Sequence, residues 1–461
     1  MPKLPPGTHE AAGVRRSDST DRIIDRLARS PWRARITAWS WRRAHCPVET
    51  IALLGRGDRF TLRCLFELEL YKAFLEDCGK YPARRWLTAA RGIARFAVGD
   101  ADAAASDLTA TVRRPAGFGL WLRAASALNQ IDPKWLYTEL ERRCGEPVAA
   151  FLLAHLADRA GDYETASRLL ERHTLSGRRA AESDLLAANI AIGRGDRTAA
   201  QAAASNAFGR HGLCDFDARP QARDGALVSI IVAAFNAEQT IGAALQSLTA
   251  QSWRNLEILV VDDASSDATR ARATAMAQQD SRIRVISRTV NEGAYVARNA
   301  GIAAARGDFV TFHDADDVAH PDRIARQIAP LVDDPALAFT TARWVRRTAE
   351  GKFWCRQILP LIRLHVGSML VRRAFLAAVG PFDPVRFGAD GDLLLRLRVA
   401  AGPMGFKALD LPLTIGGCNP HSAVHSPDTG YGAGGFSVAR QEYAERRAWQ
   451  LIEHLRGSER V

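Results

Sequence analysis

A chain of 461 residues, 47% hydrophobic and 25% charged, is too long for one core and too apolar to stay unfolded, so two or three globular domains are expected. Its seven cysteines are odd in number, scattered and without a C-x-x-C pair, which excludes a disulfide framework and a structural zinc site and suits a reducing compartment. The formal net charge is +11, yet no apolar run reaches the ~18 residues of a spanning helix and no early apolar stretch reads as a signal peptide, so a cytoplasmic protein is expected.

Residues 1–20 contain proline, glycine, serine and aspartate with little to bury, and are expected to be disordered. Arginines at 22, 26, 29, 33, 35, 42 and 43 follow, with Trp32, Trp39 and Trp41 among them. A basic segment with tryptophans fits the anionic inner face of a membrane as a peripheral contact. A nucleic-acid arm or a plain arginine-rich helix surface would use the same residues, but nothing beyond charge supports nucleic acid, and no such partner is expected.

From 21 to about 215 apolar residues recur at three- and four-residue spacing, which predicts an all-α region. Three Gly-Asp pairs, Gly99-Asp100, Gly161-Asp162 and Gly195-Asp196, are each followed by a small residue, Ala104, Ala166 and Ala200. The last two copies lie about 34 positions apart, and the pattern resembles tetratricopeptide-type helical hairpins, whose period is ~34 residues. An irregular helical bundle would also carry it. Such a region is expected to bind a protein partner, to orient a catalytic domain or to mediate self-association.

Breaker residues across 216–227 mark a linker, and the texture then changes. Short apolar runs at 228–232, 256–261, 283–286 and 309–313 alternate with helical segments at 237–251, 266–279, 294–306 and 322–332. Strands apolar on both faces with helices between them predict a parallel sheet of β-α-β units, whose strand carboxyl ends bind ligands. The first strand ends in Ala233, Ala234, Phe235 and Asn236, with Glu238 opening a helix; the second ends in Asp262 and Asp263, followed by the capping residues Ser265, Ser266 and Asp267. Asp263 is a candidate for reading the N3–H of uracil or thymine, with helix capping the alternative for the whole cluster. Arg298, entering from the third loop, suits a phosphate or a neighbouring carboxylate.

The fourth strand runs into His313-Asp314-Ala315-Asp316-Asp317. Side chains alternate along a strand, so Asp314 and Asp316 leave on one side, where two carboxylates repel unless a cation or donors lie between them. A divalent ion, Mg²⁺ or Mn²⁺, shared with a substrate diphosphate answers that chemistry; a solvated helix-capping turn is the alternative.

Together VSIIVAAFN, LEILVVDDASSDAT, NEGAYVARNAGI and GDFVTFHDADDVAHPDRI resemble family 2 of the glycosyltransferases over about 228–332, and Gly380-Pro381-Phe382-Asp383 and Ala389-Asp390-Gly391-Asp392 extend the likeness toward 450. The resemblance implies a C-terminal α/β GT-A domain, Rossmann-like, over 228–455, behind the all-α region. It implies that Ala233, Phe235, Asn236, Glu238, Asp263, Arg298, Asp314, Ala315 and Asp316 bind a nucleotide-diphosphosugar, that Asp316 with Asp314 holds the metal, and that Asp390 is the catalytic base. His421 or His425 would lie over the diphosphate, His425 as a further metal ligand. Ala233, Phe235, His313 and Ala389 depart from the family's usual residues. The function implied is inverting, metal-dependent transfer from a UDP-sugar to a glycan or lipid-linked acceptor in surface-polysaccharide synthesis. An inactive GT-A domain on a helical scaffold, binding glycan or protein, is the competing expectation.

Overall fold

The computed structural model describes residues 47–457 apart from 57, 219–220, 356–357, 419–429 and 433–434. The expected disordered terminus, the basic tryptophan-containing segment, His421 and His425 therefore lie outside the described residues.

Eleven α-helices run from Pro47–Leu54 to Arg197–Gly209 among the described residues. The Gly-Asp pairs turn out to be local devices with one design. Gly99, Gly161 and Gly195 take positive φ of 92°, 82° and 80°, conformations costly for any residue with a Cβ. The aspartate that follows caps the next helix, accepting from the amides of Ala103, Thr165 and Ala199 at 3.2, 3.0 and 2.9 Å. Ala104, Ala166 and Ala200 are buried where each second helix meets the first.

Beyond 228 the chain builds a nine-stranded mixed sheet in the order β3-β2-β1-β4-β8-β6-β9-β5, with β7 paired to β6. Strands β1 (Val228–Ala234), β2 (Leu256–Asp262), β3 (Ile283–Ser287) and β4 (Phe309–Asp314) are mutually parallel. Each runs one or two residues past its expected end. Alternate residues of β1 enter different cores, Ile230 and Val232 on one face and Ile231 on the other, as a sheet covered by helices on both sides requires. The register puts Ala233 beside Asp314 and Ala234 beside Asp262, so the strand ends form one level edge.

After β4 the pairing becomes mixed and mostly antiparallel. β5 (Val318–Ala319) pairs antiparallel with β9 (Phe406–Gly417), and β8 (Arg363–Arg372) lies antiparallel to both β4 and β6 (Phe339–Arg347). The short β7 (Phe353–Trp354) pairs with β6.

The helical half is fused to this far side of the sheet. Phe151, Leu185 and Ile190 share one apolar cluster with Phe353, Ile358, Leu361, Leu413 and Ile452. Polar clamps reinforce it. Asn189 exchanges two hydrogen bonds with the Phe353 backbone, at 2.8 and 2.6 Å, and Lys352 pairs with Asp158 at 2.9 Å. The Glu182 carboxylate accepts from the amides of Leu361 and Ile362 at 2.7 and 3.0 Å, and so holds the segment that leads directly into β8. No helix among the described residues is long and apolar enough to cross a membrane.

Candidate active site

The loops after β1 and β2 are tied to each other before any ligand arrives. Asn236 sits at φ 48° and Ala264 at φ 61°, left-handed conformations that Asn tolerates and Ala resists. The Asn236 side chain accepts from the Ser266 amide at 3.0 Å, and its own amide donates to the Ser265 hydroxyl at 3.1 Å. Glu238 accepts from the Ala268 amide at 3.0 Å while its amide donates to Asp267 at 3.0 Å. The Glu238 carboxylate therefore fastens loop to loop. Phe235 follows the strand end and is 49% exposed.

Asp263 is buried and faces the third loop. Its carboxylate accepts from the Gly293 amide at 2.7 Å and the Glu292 amide at 3.3 Å, with the Arg288 guanidinium 3.3 Å away. These contacts set where the Ala294–Ala304 helix begins. That helix is pressed onto the sheet through Gly301, where a Cβ would stand 2.4 Å from Ile231 Cγ2.

Three groups on this helix reach three parts of the cleft. Arg298 donates to Asp314 at the end of β4. Asn299 exchanges hydrogen bonds with the Phe382 backbone at 2.8 and 2.9 Å. The Tyr295 hydroxyl donates to Asp390 Oδ1 at 2.9 Å. Burial opposes the charge on Arg298, but Asp314, Tyr295 and Asp390 more than restore it. Arg298 Nε is buried without a hydrogen-bond partner.

The acidic turn rests on a buried arginine. Arg323 is fully buried and donates to the Phe312 carbonyl at 2.7 Å and to the Thr311 hydroxyl at 3.1 Å. It also lies 2.8 Å from His313 Nδ1. A guanidinium only donates, so Nδ1 accepts and the His313 proton sits on Nε2, which donates to the Asp317 carbonyl at 3.1 Å. Burial and then Arg323 push His313 down to about 3, which keeps it neutral.

Burial would raise Asp314, yet the Arg298 guanidinium outweighs it and holds that carboxyl below its ordinary range. Burial and then the Asp314 charge push Asp316 up to about 6, and burial with both neighbours carries Asp317 well above a normal carboxyl. Such crowding is what a cation would relieve. The ligand atoms of Asp314, Asp317 and His365 lie within 4.8 Å of one another. Asp317 Oδ2 and His365 Nδ1 are buried without hydrogen-bond partners, and His365 stacks on Trp344 at 4.5 Å. Burial first, then Arg323, lowers His365 to about 3, so the ring is neutral and able to ligate. Two carboxylates and an imidazole fit a divalent cation of the manganese type. Asp316 is outside this trio and stands against Gly417, where a Cβ would meet the Asp316 carbonyl at 3.0 Å.

On the opposite side, Asp390 lies in the first turn of the Ala389–Ala401 helix. Asp392, two residues on, is occupied structurally by Arg396 at 2.9 Å and Arg447 at 2.8 Å. Arg396 also donates to the carbonyls of Val379 and Pro381, at 3.0 and 2.7 Å, and so shapes the Gly380–Asp383 turn.

The structure thus joins Arg298 to Asp314 and Asp263 to the third loop. Ala233 lies beside Asp314 in the sheet register, and Ala315 turns its methyl into the core. Sequence reasoning passed over Tyr295 and His365, whose partners lie far away in the chain, and quoted Asp317 without a role.

Residues 229–389 match the sequence profile of Glycosyl transferase family 2. The succinoglycan biosynthesis protein ExoO of Rhizobium meliloti is 46% identical over 101 residues, covering 22% of this chain and 28% of that protein. The UDP-Glc:alpha-D-GlcNAc-diphosphoundecaprenol beta-1,3-glucosyltransferase WfgD of Escherichia coli is 39% identical over 109 residues, 24% of this chain and 42% of that one. The chain thus spans less than half the length of either relative. Residues 1–349 of S. aureus TarS in complex with UDP-GlcNAc superpose with a TM-score of 0.36 at 19% identity, covering 42% of this chain and 59% of that one. The likeness to Glycosyl transferase family 2 thus lies in residues 229–389, within the mixed sheet that follows an all-helical region.

Proposed function

We propose that the protein is an inverting glycosyltransferase that takes a sugar from a nucleotide-diphosphosugar, first of all a UDP-sugar, and gives it to a glycan or lipid-linked acceptor. The observation that carries this reading is the single helix Ala294–Ala304, which grips the acidic turn through Arg298 and the candidate base Asp390 through Tyr295. Donor and acceptor chemistry are thereby held at one spacing. A divalent cation held at the acidic turn, by Asp314 with Asp316 or with Asp317 and His365, would supply charge neutralisation for the departing diphosphate.

The remaining work falls to the chain's own groups. Asp390 accepts the proton of the acceptor hydroxyl as that oxygen bonds to the anomeric carbon. The bond from that carbon to the diphosphate oxygen breaks, and the nucleoside diphosphate leaves with the electron pair. One base on the face opposite the leaving group inverts the anomeric configuration. The named substrates of WfgD, a UDP-sugar and a sugar-diphosphate lipid, support a donor and an acceptor of those classes, and the succinoglycan biosynthesis in ExoO's name supports a place in polysaccharide synthesis.

The test is release of nucleoside diphosphate from a panel of nucleotide sugars by the purified protein with Mn²⁺ or Mg²⁺. One UDP-sugar should be turned over, and Asp390→Asn should lower transfer by ~100-fold or more with donor binding retained. Turnover by Asp390→Asn at the wild-type rate would remove the base assignment. A protein that releases no diphosphate above background with any donor would be a binding scaffold.

A further inference from the structure

We propose that Tyr295 is a positioning residue for glycosyl transfer, holding the Asp390 carboxylate so that one oxygen alone faces the acceptor hydroxyl; this rests on the reading of Asp390 as the base. Two donors converge on the same atom. The Tyr295 hydroxyl lies 2.9 Å and the Gly391 amide 3.0 Å from Asp390 Oδ1. Oδ2 takes no hydrogen bond among the described residues and is the oxygen left to accept a proton. A carboxylate on a free rotor would present either oxygen at random, whereas one fixed through Oδ1 presents Oδ2 in one orientation.

The phenol is itself immobile. Its ring is buried and stacks on Phe382 at 5.5 Å, and Phe382 in turn meets Phe312 of β4 edge-on at 4.9 Å. The Arg298 guanidinium lies 5.4 Å from the Tyr295 ring centroid, a cation–π contact on the same helix face three residues along. Burial and the Asp390 charge keep the phenol protonated far above its usual range, so it remains a donor throughout the working pH. Tyr295 thus joins the base to the Arg298–Asp314 pair through one rigid stack, and a displacement on the donor side is felt at Asp390.

Tyr295→Phe keeps the ring and removes only the hydroxyl. In the transfer assay with the UDP-sugar that the wild type uses, kcat should fall about 10-fold, the strength of one charge-assisted hydrogen bond, with the KM for donor and the melting temperature unchanged. A second reading is the split between the two parameters: the loss should fall on kcat alone, whereas a residue that only supports the donor site would raise KM. An unchanged kcat would overturn the proposal while leaving Asp390 as the base if Asp390→Asn is inactive. Full activity in Asp390→Asn would instead remove the reading on which the proposal stands. A fall in melting temperature and in donor affinity, with kcat intact, would make Tyr295 a packing residue and likewise overturn it.

Discussion

Glu182 offers a test of how the two halves are joined. It lies in the helical region with its side chain buried, and both carboxylate oxygens accept backbone amides from Leu361 and Ile362. Burial pushes it from 4.5 up to about 7, against the opposing pull of those two amides and Arg343. A carboxyl so displaced is protonated more readily in the folded chain than in the unfolded one. Its contribution to stability is therefore whole below 4.5 and gone once the pH passes about 7. The change across that window is ~3 kcal/mol. Glu182→Gln cannot ionise, and its amide nitrogen leaves one of the two backbone donors unsatisfied, a pH-independent loss of ~1–3 kcal/mol. The variant should be less stable than wild type at about pH 5, and the difference should vanish or reverse at about pH 8. Urea unfolding followed by far-UV circular dichroism at both values reads this directly. A gap between the two proteins that stays constant with pH would refute the argument.

Gly301→Ala places a methyl 2.4 Å from Ile231 and should cost ~1–3 kcal/mol by overpacking. Because the same helix carries Tyr295 and Arg298, kcat should fall further than stability alone explains, as a melting curve beside an initial-rate assay would reveal. His365→Ala should weaken Mn²⁺ binding ~10-fold in calorimetry with UDP present, the scale set by losing an imidazole at or beside a metal. Unchanged affinity would take His365 out of the cation site.

The first four strands and the three Gly-Asp turns were legible because their signals are local: an apolar run, a breaker, a capping carboxylate. The far half of the sheet was not. β6 reads Phe339 to Arg347 with arginines at 343, 346 and 347, and it is stabilised by β8 and β9 and by the helical region, not by its own pattern. Asp263, Arg298 and Asp390 were singled out by position, and a neighbouring carboxylate was one of the two partners expected of Arg298, but the partners of the other two were not legible. Arg298 turns to Asp314, and Asp263 anchors the Gly293 amide. Tyr295 stands 95 positions from Asp390, so nothing in the string NEGAYVARN marks its hydroxyl as more than a helix residue. His365 is equally silent: only burial, Trp344 and Asp317 give it meaning.

The joint apolar cluster that runs from Phe151 and Leu185 to Leu413 and Ile452 also governs what can be made by cutting the gene. A fragment severed between 210 and 227 would uncover greasy faces on both products, each able to stick to itself or to any available surface. Neither half should be recoverable as a well-behaved solution species, and the transferase would have to be produced with its helical partner attached.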